Sequence, residues 1–337
     1  MEKAKKFFLR LEWLLVVAIL FVYFLFAAKL PDSYTFNNLL DQTRIYMVDV
    51  GFMTLGTMLI LVLGDIDISV SSIAGLAATI LAVSYKGGSG VPFWLSIVLA
   101  LAVGTICGFF NGFLVTRFKE LFPMIITLST QTLFRGIAYI ILKDTSSGGL
   151  PDWFVSGLGY GHIGNFPIML ICVLVCFPIY YIMVHRTAFG RQIFATGTNI
   201  TAARYSGIRT DSLKVKLFML NGFMAALAGI FLTARTGSVK YTLANGYEMQ
   251  AIAIAVLGGA STNGGKGSVI GCLLSLILMT CLKNGLKLAY NDDFILNLAI
   301  GLLLIAVILI PNIAQMIREK REIEARRNAT TESAVQS

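Results

Sequence analysis

Charge is what this sequence most lacks. Only 13% of its 337 residues are Asp, Glu, Lys or Arg, against about 25% in soluble domains. It therefore cannot clothe a globule with an ordinary wet surface. Histidine is nearly absent: His162 and His185 stand alone, without zinc spacing or a nucleophile motif around them. The five cysteines, Cys107, Cys172, Cys176, Cys272 and Cys281, all lie in apolar runs. Cys172 and Cys176 share a helix face, but no His or acid stands near enough to complete a metal set, so they read as small core residues. A phosphate-binding G-x-x-x-x-G-K-[ST] loop is also missing. The nearest approach, Gly259 to Ser268, has Lys266 out of register with the required glycines. The sequence thus expects no catalytic set, no metal and no ATP hydrolysis by this chain.

Apolar residues make up 56% of the chain, and the mean hydropathy is +0.78. Ten apolar segments stand out: 11–28, 45–63, 70–85, 93–115, 124–142, 166–184, 215–234, 241–257, 269–282 and 294–310. Most are long enough for helices rather than barrel strands, so the expected class is an all-α integral membrane protein with about ten transmembrane helices. Residues 1–311 form the expected membrane domain. Residues 312–337 form a basic tail of disordered composition. Lys3, Lys5, Lys6 and Arg10 precede the first run, which is too long for a signal-peptide core and reads as a first span.

Basic residues divide unevenly between the two sides. Alternating the segments from an inside N-terminus puts 18 Lys and Arg on that side and 8 on the other, with Arg135 inside a span. The excess predicts that both termini are cytoplasmic. The net charge of +9 then reflects topology rather than nucleic-acid binding. The same count places the polar stretch 185–213 in the cytoplasm. Within it, Asn199 is suited to cap a short helix through Ile200 to Ser206, with Gly207 just past its end.

Several segments are short or interrupted. GDIDIS, with Asp65 and Asp67, separates the second and third, and reads either as a break within the membrane or as a tight cytoplasmic turn. The eighth carries Asn245, Gly246 and Glu248. The ninth follows a flexible turn holding Gly258, Gly259, Gly264, Gly265 and Gly267. Polar groups inside spans are more pointed. Thr127, Gln131 and Arg135 recur every four residues and share one helix face, which should meet water or protein rather than lipid. Asn111 sits among small residues that permit close helix approach. Asp49 and Glu248 are the acids placed away from the cytoplasmic mouth.

Four stretches together resemble one family. GDIDISVSS (64–72) is similar to its Gly-Ile-Asp-Leu-Ser stretch, and GFFNGFLV (108–115) to its Gly-x-x-Asn-Gly-x-Leu-Val. FGRQIFATGTNITAARYSGI (189–208) resembles its cytoplasmic coupling segment, and 246–271 its Tyr-Glu-(x)2-Ala-Ile-Ala…Leu-Gly-Gly…Gly-Gly-x-Gly run. The family is that of ribose-type ABC sugar importer permeases, which includes autoinducer-2 uptake permeases. Asp65 stands where the family commonly has a second glycine, and Val70-Ser71-Ser72 where it favours Val-Gly-Ser.

The resemblance implies a type II ABC importer-like permease fold in a prokaryotic plasma membrane. It implies a non-catalytic subunit acting with a second permease copy, ABC ATPase subunits that hold ATP and Mg, and an extracytoplasmic solute-binding protein. Coupling to the ATPase falls on Gly190, Arg191, Gly197, Asn199, Ala202, Ala203, Arg204, Ser206 and Gly207. Ile193, Phe194, Tyr205 and Ile208 are the expected apolar anchors of that docking face. The candidates for the solute pathway are Asp49, Asp67, Asn111, Thr127, Gln131, Arg135 and Glu248. The expected cargo is a monosaccharide or similar small polar solute. A nucleoside-type ABC permease and an ion-coupled secondary transporter are the alternatives.

Overall fold

The computed structural model describes residues 11–292, together with Ile295, Leu298, Gly301, Leu302, Ile305 and Leu309. The chain divides into two units, Met1–Asn291 and Asp292–Ser337, and every element named below belongs to the first. Apart from those six positions, the expected tenth segment and the 312–337 tail fall outside the described residues, as do Lys3, Lys5, Lys6 and Arg10.

Helices follow one another almost without strands: α1 (Leu11–Lys29), α2 (Phe36–Tyr46), α3 (Val48–Val62), α4 (Val70–Tyr85), α5 (Phe93–Arg117) and α6 (Pro123–Leu142). A π-helical turn (Trp153–Gly159) and a two-residue hairpin, β1 (His162–Ile163) with β2 (Phe166–Pro167), lead to α7 (Ile168–Arg186). Then come α8 (Ala188–Thr198), α9 (Ile200–Tyr205), α10 (Thr210–Thr236), α11 (Tyr247–Leu257) and α12 (Val269–Tyr290).

Two helices form the centre. Every residue of α3 is buried, as a helix with apolar residues all round it requires, and Asp49, Thr54 and Thr57 are buried with them. The 27-residue α10 packs along α5, α3 and α4. Its approach to α5 is backbone to backbone: a Cβ on Gly108 would stand 2.2 Å from the carbonyl oxygen of Phe218. Large apolar side chains such as Phe21, Trp94, Ile106, Ile140 and Ile179 point outward instead, the surface of a bundle that meets lipid.

Among the described residues, seven helices are long and apolar enough to cross a membrane. The number is eight if α2 and α3, bent by 57°, form one span. The expected ten differ for physical reasons. The second segment is the straight part of that bent pair. The eighth yields only the 11-residue α11, about 16 Å long against a hydrocarbon core of about 30 Å. Ala244 and Gly246 take left-handed conformations (φ 61° and 83°) and stop the helix from beginning before Tyr247.

Candidate functional site

The break between α3 and α4 is closed by side chains from three other helices. Asp67 is fully buried and accepts from the Ser69 amide (2.9 Å), the Ser69 hydroxyl (2.6 Å) and Asn221 Nδ2 on α10 (2.8 Å). Asn111 Nδ2 on α5 donates to the Ser69 hydroxyl at 2.7 Å. Thr127 on α6 accepts from the Ile68 amide and stands within hydrogen-bond reach of the Ile66 carbonyl, both at 3.2 Å. Backbone groups freed by the break thus find partners in an apolar interior where water would otherwise be required. Asp65, in the place of a family glycine, pairs with Lys214 at 2.7 Å. Of the residues expected from sequence, Asp67, Asn111 and Thr127 come together here.

Ser69, Lys214 and Asn221 belong to the same knot without having been singled out from sequence. A signal for Asn221 was present. Asn221-Gly222 and Asn111-Gly112 are both carboxamides beside a glycine within an apolar run, and a polar side chain in a span marks a helix contact.

The other half of the polar face on α6 turns toward α11. Gln131 Nε2 donates to Glu248 Oε1 at 3.1 Å. Arg135 donates to the Tyr241 and Leu243 carbonyls at 2.6 and 2.7 Å. Neither Glu248 nor Asp49 is its hydrogen-bond partner, since those take Gln131 and Arg235. The turn before α11 presents carbonyls that no helix uses, and the guanidinium takes those. Asp49, fully buried, is paired with Arg235 at 2.5 Å. Lys283, reckoned as a loop cation in the sequence count, is buried on α12 with its ammonium on Gln250. Beside these groups a cavity of about 370 Å³ is lined by Arg235, Thr236, Ser238, Lys240, Thr242 and Asn245, among others.

At the opposite end of α10 lies the 185–213 stretch. Thr187 caps α8 through the Gly190 amide (3.3 Å), and Asn199 caps α9 through the Ala202 amide (2.9 Å). Gly207 takes φ 83° just past α9. Arg204 reaches Asp211 at 2.9 Å, and Arg191 is exposed. The sequence showed α9 but not α8.

The outward face is also narrower than expected. Ala203 and Ile193 are buried inside the chain, so neither can anchor a partner. Phe194 is half-buried and stacked on His185. Ala202 and Ser206 face outward, and Tyr205 is 90% exposed.

The glycine-rich turn joins α11 to α12. A Cβ on Gly258 would stand 2.5 Å from the Cys272 amide nitrogen, so the two helices meet through backbone there. Gly259, Gly264 and Gly265 all have positive φ, and Gly267 packs against the Val62 side chain. No group of three or more His, Cys, Asp or Glu placed to hold a metal occurs among the described residues.

Residues 39–311 match the family described as branched-chain amino acid transport system / permease component. The chain is similar to the autoinducer 2 import system permease protein LsrC of Photorhabdus laumondii, with 38% identity over 262 residues, 76% of each chain. It is similar to the ribose import permease protein RbsC of Bacillus subtilis, with 34% identity over 81% of this chain and 83% of that one. The LsrC protein of Yersinia pestis is 36% identical over 79% of this chain and 75% of its own length. No solved structure matches the chain.

Proposed function

Because the chain belongs to the family of transport-system permease components, we propose that it is the membrane-spanning subunit of an ATP-driven ABC importer. It passes a monosaccharide or similar small polar solute, delivered by an extracytoplasmic binding protein, across a prokaryotic plasma membrane. The observation that carries this reading is α9, a capped helix at one end of a membrane bundle that holds Tyr205 90% exposed. An aromatic side chain so placed offers an anchor to a separate protein. That partner is the ABC ATPase, which holds ATP and Mg and does the hydrolysis, while this chain is non-catalytic. A second permease copy completes the pathway. The excess of Lys and Arg on the 185–213 side puts that stretch and both termini in the cytoplasm. The cavity beside Arg235 and Lys240 then opens on the outer side, lined by hydroxyls and an amide of the kind a polyol exchanges for water. The relatives named for ribose and autoinducer 2 support a small hydroxylated cargo.

The test is uptake of ribose and of autoinducer 2 in cells depleted of ATP with the proton gradient kept. Import through this chain should cease. Continued uptake would overturn the reading in favour of an ion-coupled secondary transporter. On the same reading, Ala202→Arg should leave a folded permease that no longer co-purifies with its ATPase. Co-purification and transport at parental levels would remove α9 as the docking surface.

A further inference from the structure

We infer that Gly197 is the positioning residue through which movement of the 185–213 stretch reaches the α3–α4 break; the inference rests on the ABC import reading above. Gly197 lies in the last turn of α8. A Cβ there would stand 1.8 Å from the carbonyl oxygen of Val62, the last residue of α3, and 2.7 Å from the Gly265 amide nitrogen. Gly265 donates its amide to that same Val62 carbonyl at 2.8 Å. A Cβ on Gly264 would stand 2.6 Å from the Gly197 carbonyl oxygen and 3.0 Å from the Gly64 amide nitrogen. Three stretches distant in sequence, the end of α8, the glycine turn and the start of the break, therefore meet backbone against backbone.

Contact of this kind transmits displacement. A side chain absorbs a small shift by changing rotamer, but a packed backbone has no such freedom and its neighbour must move with it. Val62 precedes Asp67 by five residues, and Asp67 holds Ser69 and Asn221 directly and Asn111 through Ser69. The lever is also stiff at its outer end. A Cβ on Gly190 would stand 1.8 Å from the Val184 carbonyl, fixing α8 to α7, and Asn199 ties α9 to α8 as its cap. Ile193 and Ala203 fasten the two helices inward. A push on the Ala202–Tyr205 face is thus borne at the Val62 carbonyl and delivered to the break.

The test uses the permease with its ATPase and binding protein in proteoliposomes, in a background without native cysteines. Ile66→Cys, at a half-buried position within the break, reports its movement through the rate of thiol labelling with and without ATP. In the parent, nucleotide should change that rate several-fold. In Gly197→Ala, the nucleotide effect on labelling should vanish, and solute moved per ATP hydrolysed should fall several-fold. A merely structural glycine would lower yield without separating hydrolysis from labelling.

Gly265→Ala serves if Gly197→Ala fails to fold. Its added methyl first meets the Thr198 hydroxyl at 2.7 Å, so a weaker version of the same uncoupling is expected, partly relieved by adding Thr198→Ala. Parental labelling response and parental solute per ATP in the folded variant would overturn the inference and leave the import reading standing. ATP-independent uptake by the parent would overturn the import reading itself.

Discussion

The two ends of the bundle handle their fully buried acids differently, although the break also carries one ion pair, Asp65 with Lys214. At the break, the fully buried carboxylate Asp67 is held by neutral donors: two from Ser69 and one from Asn221. At the other end, two carboxylates and three cations are gathered around α11: Asp49, Glu248, Arg135, Arg235 and Lys283. Both of those acids are buried, yet Asp49 Oδ1 and Glu248 Oε2 have no hydrogen-bond partner within the protein, and neither do Arg135 Nη2 and Arg235 Nε. Neutral donors close a gap in the backbone and leave the amide oxygens of Asn111 and Asn221 unpartnered, whereas at the other end charged atoms of both signs retain capacity for a passing polar molecule. On the import reading proposed above, the first arrangement serves as a fastening and the second as the candidate lining of the pathway.

The largest effect is expected at the fastening. Asp67→Ala would strand the Ser69 amide, the Ser69 hydroxyl and Asn221 Nδ2 in an apolar interior. Each stranded donor costs about 1–3 kcal/mol, so the three together consume much of a typical stability of about 5–15 kcal/mol. Asp67→Asn keeps one acceptor oxygen and should lose less. Thermal melting of the detergent-purified protein ranks the variants, expected as parent, then Asn, then Ala. An Ala variant that melts with the parent would show that the break does not depend on this carboxylate.

The charged end should respond differently to paired changes. Asp49→Ala leaves the half-buried Arg235 without its partner, a loss at or below the lower end of the about 3–5 kcal/mol seen for fully buried pairs. Asp49→Leu combined with Arg235→Met should recover most of it, because apolar groups of similar volume often replace a buried ion pair without cost. No pair of side-chain substitutions can do the same at the break, where a backbone amide is among the donors. The same melting assay decides it. If the double variant is no more stable than the single one, Asp49 and Arg235 do more than balance one another.

The sequence made the spans and the break legible to different degrees. Segment 70–85 was found to the residue, since α4 is bounded by Ser69 and a left-handed Lys86. Asp67, Asn111 and Thr127 were each visible as polar groups in apolar surroundings, but no spacing rule links residues 67, 111, 127 and 221. Only the packing of α10 against α3 and α5, and of α4 against α5 and α6, brings them together. Arg135 was readable as a cation within a span, yet its partners are backbone carbonyls, which carry no residue identity and so leave no mark in sequence. Ala202 and Ala203 look alike in sequence and differ wholly in burial. Their difference arises from how α9 is rolled against the chain, a tertiary fact.

One helix crosses from one regime to the other, and it offers the finest test of the contrast. Thr127 and Arg135 on α6 are eight residues apart, about 12 Å along the axis. Thr127 is fully buried and committed to the break, while Gln131 is half-buried beside the unpaired Glu248 Oε2. In a background without native cysteines, Gln131→Cys and Arg135→Cys should react with a water-soluble thiol reagent, and Thr127→Cys should not. Losing Gln131 Nε2 leaves the buried Glu248 carboxylate without its donor, a cost of about 1–3 kcal/mol, less than the three stranded donors at Asp67, so this variant should still fold and report. Solute supplied with the binding protein should slow labelling at position 131, because cargo and reagent would compete for the same wet face. Equal labelling at 127 and 131 would erase the boundary between fastening and pathway. Absence of labelling at both 131 and 135 in every nucleotide state would place the charged end in dry packed protein, and the solute would have to cross elsewhere.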